Sequence, residues 1–329
     1  MRDAEARAAG SVKGCTVYTT LEPCHHQGRT GPCDQALIDA GVARVAVSVL
    51  DPDEKVAGQG VAHIKAAGIA VVTAVAQAEG KAALREYLHH RNTGRPYTVL
   101  KAALSLDGKI ACGDGSSQWI TGEAARADGH VLRARSQAIL VGSGTAATDA
   151  PSLTTRVVDE VYDALGVLPP SNASLRVVLD STGATVAGSL LDTSSAPTLI
   201  FTSDAAPATV VEGWKAAGVQ VCVVPAADAA AAGGSGLSLA AVLDELGARG
   251  ILQLLVEGGS AVHASFLRSN LVDEIYMYKG ATALGGSAKS WIAADLTATI
   301  ADAKFWHLRS ARVLGNDVCM EYELRGSKL

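Results

Sequence analysis

The chain has 329 residues, 48% of them hydrophobic and 19% charged, with a formal net charge of −5. That balance fits a globular protein of about two domains at roughly 150 residues each, not a disordered one. It offers no basic surface for nucleic acid and no run of like charge for a membrane.

In chain order, residues 15–20 read as a strand, 34–40 as a helix stopped by Gly41, and 44–49 (Arg44-Val45-Ala46-Val47-Ser48-Val49) as a short, β-branched buried strand. A helix end at 64–67, Gly68 and a strand over 69–75 repeat the theme, and 76–91 is helical by composition and spacing. Asn92-Thr93-Gly94-Arg95-Pro96 breaks the pattern and sets the expected domain boundary, giving domains 1–92 and 96–329. Beyond it, strands are expected at 97–104, 138–141, 175–180, 198–202, 219–224, 253–256 and 273–278, and helices at 122–136, 207–217, 239–248 and 260–269. This alternation predicts an α/β fold with a mostly parallel sheet. Residues 157–174 and 225–237 read as surface insertions.

No run of about 18 apolar residues is present to span a membrane. The first seven residues, Met1 to Arg7, carry acids and have no apolar core segment, unlike a secretory leader. A cytoplasmic protein is expected. Its six cysteines do not make a disulfide framework in this length. Cys15, Cys112, Cys222 and Cys319 are scattered and read as small apolar residues.

Cys24 and Cys33 differ. They stand in Leu21-Glu22-Pro23-Cys24-His25-His26-Gln27-Gly28-Arg29-Thr30-Gly31-Pro32-Cys33-Asp34, between a strand and a helix start. A helix N-terminus favours anions and zinc favours sulfur, so two zinc-bound thiolates are one reading. A pair of loop cysteines beside exposed histidines is the other, and spacing alone does not choose between them. The whole string resembles the Pro-Cys…Gly-Arg-Thr…Pro-Cys signature of the RibD-type pyrimidine deaminases, within the zinc cytidine-deaminase superfamily. The resemblance implies that Cys24 and Cys33 are metal ligands and that His26 and Arg29 contact substrate. In that family a His and two Cys hold zinc, the metal activates a water, and a Glu shuttles protons. The His-Ala-Glu motif the family places upstream is absent: no His precedes His25, and neither Glu5 nor Glu22 sits in such a motif. The expectation is therefore a partial, cytidine-deaminase-like α/β domain, N-terminally truncated. It would hold Zn2+ only if the upstream ligand were supplied, and it would not deaminate. Residues 2–10 read as the tail of the helix that would carry the motif, so Met1 is a doubtful start. Sheet edges left open by such a truncation call for a covering partner, and a homo-oligomer is expected.

The second domain carries Lys101-Ala102-Ala103-Leu104-Ser105-Leu106-Asp107-Gly108, Ser116-Ser117-Gln118-Trp119-Ile120-Thr121-Gly122, Gly142-Ser143-Gly144-Thr145 and Asp149-Ala150-Pro151-Ser152-Leu153-Thr154-Thr155-Arg156. Val256-Glu257-Gly258-Gly259-Ser260, Leu271-Val272-Asp273-Glu274 and Leu284-Gly285-Gly286 come after them. Singly these are weak: Gly-Ser-Gly-Thr after a strand is either a phosphate cradle or a turn, and Thr121 is a candidate helix cap. Together, in this order, they resemble the reductase domain of the RibD family, over residues 97–325. The resemblance implies a dihydrofolate-reductase-like fold and NADPH-dependent reduction of 5-amino-6-(5-phosphoribosylamino)uracil to its ribitylamino product, a step of riboflavin biosynthesis.

Position by position, Ala103, Trp119, Thr145 and Asp149 match NADPH-contacting residues, and Ser181 the approach to the adenosine 2′-phosphate. Gly259, Ser260, Ala261, Val262, His263, Ala264 and Ser265 match the loop and helix start on the pyrophosphate, where backbone N–H groups favour an anion. Ser117, Arg133, Leu153, Arg156 and Glu257 match substrate positions, with Arg133 and Arg156 suited to a bidentate grip on phosphate. Glu257, Asp149 and Lys101 are the catalytic candidates. Departures from the family are Ala150, where many relatives have Asp, and no proline before Leu284-Gly285-Gly286. The alternative is a reductase of the same fold acting on another pterin-like or carbonyl substrate, with a non-catalytic N-terminal remnant.

Overall fold

A computed structural model describes residues 12–28, 30–157, 173–227 and 236–324. Arg29, residues 2–10 and most of the two expected insertions therefore lie outside the described residues. The chain divides into two compact units between Gly94 and Arg95.

The smaller unit runs β1 (Thr16–Leu21), α1 (Cys33–Asp39), β2 (Arg44–Val49), α2 (Gln59–Ala66), β3 (Ala70–Val72), α3 (Gln77–Ala83) and α4 (Arg85–Thr93). Its strands form a parallel sheet in the order β1-β2-β3. Val45 and Val47 of β2 pack with Leu37 of α1 and Val61 and Ile64 of α2. Gly41, at φ +64°, lets the chain leave α1 and turn into β2. The helix expected over 76–91 is two helices, broken at Leu84, whose φ of −113° is not helical. Gly60 lets α2 touch the loop just ahead of Cys24: a Cβ there would lie 1.8 Å from the carbonyl oxygen of Pro23.

The larger unit contains β4 (Tyr97–Leu104), β5 (Lys109–Ala111), α5 (Glu123–Ala134), β6 (Ala138–Gly142), α6 (Ser143–Asp149), β7 (Leu175–Leu179), β8 (Thr198–Thr202), α7 (Ala208–Ala216) and β9 (Gln220–Val223). It continues with α8 (Leu239–Ala248), β10 (Gln253–Gly258), α9 (Ser260–Arg268), β11 (Glu274–Lys279), β12 (Lys289–Ser290), β13 (Trp306–Leu314) and β14 (Asp317–Leu324). Among the described residues the main sheet has nine strands in the order β13-β14-β11-β4-β10-β6-β7-β8-β9. From β11 to β9 all neighbours are parallel; β14 and β13 add an antiparallel hairpin at one edge.

Apart from the edge strand β9, the parallel strands of this sheet are largely buried on both faces, which is why they read as continuous apolar runs. Leu100, Ala102 and Leu104 of β4 face a core shared with Val242 and Leu246 of α8 and Phe266 of α9. Tyr97 and Val99, at alternate positions of the same strand, face Ala125 and Leu132 of α5, Ala146 of α6 and Trp214 of α7. The edge hairpin has a different pattern: β13 is exposed at most positions and charged, so it carries little of the apolar signal that revealed the other strands.

Thr121 does not cap α5. The N-cap is Gly122, whose N–H donates to Asp317 in β14 at 2.5 Å, and the Thr121 carbonyl accepts from Arg126 instead. Gly142-Ser143-Gly144-Thr145 is not a free turn either: Gly142 ends β6 and Ser143 begins α6. Gly142 allows α9 to close on β6, since a Cβ there would stand 2.7 Å from Val262.

Candidate functional site

In an open parallel sheet, ligands bind outside the carboxyl ends of the strands. Three of the residues expected to meet the cofactor follow the ends of different strands: Thr145 in α6 after β6, Ser181 shortly after β7 and Gly259 directly after β10. Asp180, fully buried before Ser181, shapes that turn by accepting the N–H groups of Gly183, Ala184 and Thr185.

The strongest cradle comes after β10. Gly258 has φ +107°, and a Cβ on it would lie 3.0 Å from Nε2 of His263. A Cβ on Gly259 would lie 3.1 Å from the Thr145 hydroxyl. Gly259 is the N-cap of α9, and no side chain caps that helix. First-turn N–H groups of a helix entered through glycines are open to an anion such as a pyrophosphate, although most other helices among the described residues also lack a side-chain cap. The residues present therefore fit a dinucleotide phosphate. Downstream, Val262, Ala264 and Ser265 are buried in α9, and Nδ1 of the buried His263 meets the Trp291 carbonyl at 3.1 Å.

Beside that turn lies a buried charge cluster. Val256 is in register with Leu100, so Glu257 of β10 stands next to Lys101 of β4. Arg133, near the end of α5, makes a two-pronged contact with Glu257: Nε donates to Oε1 and Nη2 to Oε2, each at 2.6 Å. Its remaining nitrogen, Nη1, donates to the Thr154 carbonyl at 3.2 Å. The two side chains are only 19% and 10% exposed. Burial pushes the Glu257 carboxyl up, but the Arg133 guanidinium, helped by Lys101, brings its pKa down to about 2. Burial holds the Lys101 amine below the ordinary lysine range, and its ammonium lies 5.7 Å above the Tyr278 ring. His130, one turn before Arg133, is depressed by burial and by the arginines 133 and 156, and its Nδ1 accepts the Arg156 N–H at 3.3 Å. Sequence reasoning missed His130. Its signal was the i, i+3 spacing with Arg133 on one helix face.

The other expected site residues differ in burial and in the elements that carry them. Leu153 is buried with φ +49°, Arg156 is exposed, and Asp149 is exposed at the end of α6. Ala103 is half-buried in β4 and Ser117 half-buried in the β5–α5 connection. Trp119 in the same connection is 67% exposed, with the Arg126 guanidinium stacked 4.3 Å from its ring centroid. That segment is pinned because β11 leads into Gly280, where a Cβ would meet the Ile120 carbonyl at 2.1 Å. Two further motifs meet in space: Asp107 accepts the N–H groups of Leu284 and Gly285 at 3.0 and 2.7 Å. One expectation changes. The Arg133 fork, read as a phosphate grip, is turned onto Glu257, while Arg156 keeps an exposed guanidinium.

The smaller unit has its own cavity of about 960 Å³, lined among others by Cys24, His26, Cys33, Asp51, Tyr87 and Arg91. The Cys33 N–H donates to the Cys24 sulfur at 3.4 Å, so the two thiols are adjacent. A catalytic zinc needs three protein ligands and an open position. Among the described residues no third ligand joins the thiols; the one group of three ligand atoms is His25, Asp34 and His63. The pair does not complete a zinc set, and no deamination step is derived from it. Glu22, 4% exposed, is not a proton shuttle: its carboxylate is occupied by the N–H groups of Asp51, Gly58 and Val61.

Comparison with known proteins covers both units. Residues 96–320 match the RibD C-terminal domain, and residues 1–49 match the cytidine and deoxycytidylate deaminase zinc-binding region. The riboflavin biosynthesis protein RibD of Chlamydia pneumoniae is 38% identical, over 96% of this chain and 81% of its own length. The solved structure of Acinetobacter baumannii RibD, form 1, is 32% identical with a TM-score of 0.81, over 97% of this chain and 83% of that one. A diaminohydroxyphosphoribosylaminopyrimidine deaminase/5-amino-6-(5-phosphoribosylamino)uracil reductase from Thermotoga maritima is 25% identical with a TM-score of 0.79, over 98% and 83%. No helix among the described residues is long and apolar enough to cross a membrane. The larger unit thus has the α/β reductase fold and the smaller one a partial deaminase fold, and the chain belongs to the RibD family of riboflavin biosynthesis proteins.

Proposed function

We propose that the chain is an NADPH-dependent 5-amino-6-(5-phosphoribosylamino)uracil reductase, with the chemistry held by the larger unit. The observation that carries this reading is the Lys101–Glu257–Arg133 cluster set directly beside the uncapped glycine turn into α9. NADPH, when bound, supplies a hydride to C1′ of the opened, imine-like sugar. The protein must then orient that carbon and deliver one proton. Glu257, with a pKa of about 2, stays ionised at neutral pH and cannot be the donor. Its role is to accept hydrogen bonds from ribose hydroxyls, held in place by Arg133. Asp149 is exposed at the end of α6, on the side assigned to the cofactor. Lys101 is the remaining candidate: it abuts Glu257, and its lowered pKa brings proton transfer nearer to working pH. Arg156 takes the substrate phosphate in this reading, supported by its exposure beside His130.

The second activity of the family is not assigned to the residues of this chain. Cys24 and Cys33 lack both a third ligand and a free carboxylate to move protons among the described residues. The test is NADPH oxidation with the phosphoribosylamino uracil and, separately, with its phosphate-free analogue. Turnover of the first and a large loss with the second supports the reading. Equal turnover of both favours the alternative of a pterin-like or simple carbonyl substrate, and no NADPH oxidation with either overturns the reductase. Deamination of the upstream diaminopyrimidine by this chain would overturn the second assignment.

A further inference from the structure

Three side chains that neither the reductase site nor the thiol pair uses converge on the smaller unit. His25 lies in the loop after β1, Asp34 in the first turn of α1 and His63 on α2. Nδ1 of both imidazoles faces one oxygen of Asp34, Oδ2, at 2.5 Å from His25 and 2.7 Å from His63. The rings meet edge to face, with centroids 4.7 Å apart. All three ligand atoms lie within 4.8 Å of one another. None of these residues lines the cavity that holds Cys24, His26 and Cys33.

The carboxylate is buried beneath its two partners. Asp34 is 0% exposed, while His25 and His63 are 40% and 36% exposed and form its rim. The second Asp34 oxygen is already used by the Gln35 N–H at 2.6 Å, so Oδ2 is the atom offered to the histidines. A buried carboxylate oxygen shared by two partly exposed imidazoles offers two nitrogens and one oxygen, and the exposed rim would leave a fourth position to solvent. Imidazole with carboxylate suits Zn2+, Co2+ or Ni2+ rather than Ca2+ or Mg2+, which prefer all-oxygen shells. With bonds of about 2.0–2.1 Å, tetrahedral ligands stand roughly 3.3 Å apart, so the present contacts would open by less than about 1 Å. The three residues come from a loop and two different helices. An ion there would tie the loop carrying Cys24 and His26 to α1 and α2, alongside the close contact of Gly60 with Pro23.

We propose that His25, Asp34 and His63 form a site for a divalent late-transition-metal ion, separate from the Cys24–Cys33 pair and serving to fix the loop between β1 and α1.

The experiment uses the full chain with both thiols removed, Cys24→Ser/Cys33→Ser, stripped by chelator and titrated with Co2+ by absorbance and with Zn2+ by calorimetry. The expected result is one equivalent bound, with visible Co2+ bands and no thiolate charge-transfer band. Adding His25→Ala or His63→Ala should weaken Zn2+ binding by more than about 10–100-fold, the loss commonly seen for even an outer-shell partner. Circular dichroism shows whether each variant is folded. His25→Ala alters only a loop residue, so it keeps the test valid if His63→Ala disturbs α2. Failure of the thiol-free chain to bind either ion overturns the proposal. So does binding that is unchanged in the folded His25→Ala variant, since the metal would then be held elsewhere.

Discussion

Arg133 and Glu257 are 124 residues apart in sequence and meet through two parallel contacts of 2.6 Å. The pairing joins α5 to β10 and keeps the carboxylate ionised in a buried place. Breaking such a pair by removing one charge typically costs about 3–5 kcal/mol, because the other charge is left buried. Glu257→Gln should therefore destabilise the larger unit by that order at neutral pH. The pH dependence has a definite sign. A carboxyl whose folded pKa is about 2 contributes stability that is complete above its ordinary value and is lost as pH falls toward 2. The difference between Glu257→Gln and the parent should shrink as denaturation is repeated from pH 6 down to about pH 3. A constant difference across that range would show that Glu257 is not held ionised by Arg133.

Lys101 gives a kinetic counterpart. If it delivers the proton, turnover needs its ammonium form. Burial lowers its pKa, so kcat should fall on the alkaline side at a pH below that of an ordinary lysine. Lys101→Ala should lose about 10²–10⁴ in kcat, the usual worth of a positioned acid. Lys101→Arg stays charged and should lose the alkaline limb altogether, whatever its residual rate. A pH–rate profile for the two variants decides between the roles, and an unchanged alkaline limb in Lys101→Arg would assign the titration to another group.

How much of the molecule is legible in its sequence depends on what kind of signal each residue carries. The central parallel strands are legible because burial on both faces makes them continuous apolar runs; the expected strands at 97–104 and 198–202 match β4 and β8. The β13–β14 hairpin is not, although Gly315, at φ +66°, with Asn316 after it marks its turn. Its exposed edge strand has little apolar periodicity. Motif order brings Lys101, Arg133 and Glu257 forward as one set, but it cannot say that Arg133 faces Glu257 instead of phosphate. That choice is made by the approach of α5 to β10, a tertiary fact. The His25–Asp34–His63 group is hidden for the same reason: a spacing of 29 residues between Asp34 and His63 has no local meaning until α2 packs on α1.

The glycine turn can be tested by size. Gly258 combines φ +107° with a Cβ position 3.0 Å from Nε2 and 3.1 Å from Cε1 of His263. His263 is buried, with its pKa lowered to about 4 by that burial, and its Nδ1 meets the Trp291 carbonyl at 3.1 Å. Gly258→Ala should cost about 1–3 kcal/mol from the backbone conformation and a similar amount from crowding. It should also weaken NADPH binding by more than about 10-fold, because the turn presents the α9 N-terminus. Pairing it with His263→Ala relieves the crowding but not the backbone cost. Fluorescence titration should then show partial recovery; full recovery would mean that φ at Gly258 is immaterial.

Arg156 separates recognition of phosphate from chemistry. Its guanidinium is exposed, with Nη2 3.4 Å from the Ser152 hydroxyl, whereas Arg133 is committed to Glu257 and Thr154. An exposed arginine meeting a dianion forms charge-assisted bonds worth about 1.5–3 kcal/mol. Arg156→Ala should thus raise KM for the phosphorylated substrate by about 10–100-fold while leaving stability within about 0.5 kcal/mol of the parent, as for other surface changes. Arg133→Ala should do the reverse in proportion, losing stability first, because it strands the Glu257 carboxylate. With the phosphate-free analogue, Arg156→Ala and the parent should turn over alike. If Arg156→Ala instead slows both substrates equally, the arginine acts on the sugar or on the position of His130, and the phosphate must be bound elsewhere on the rim.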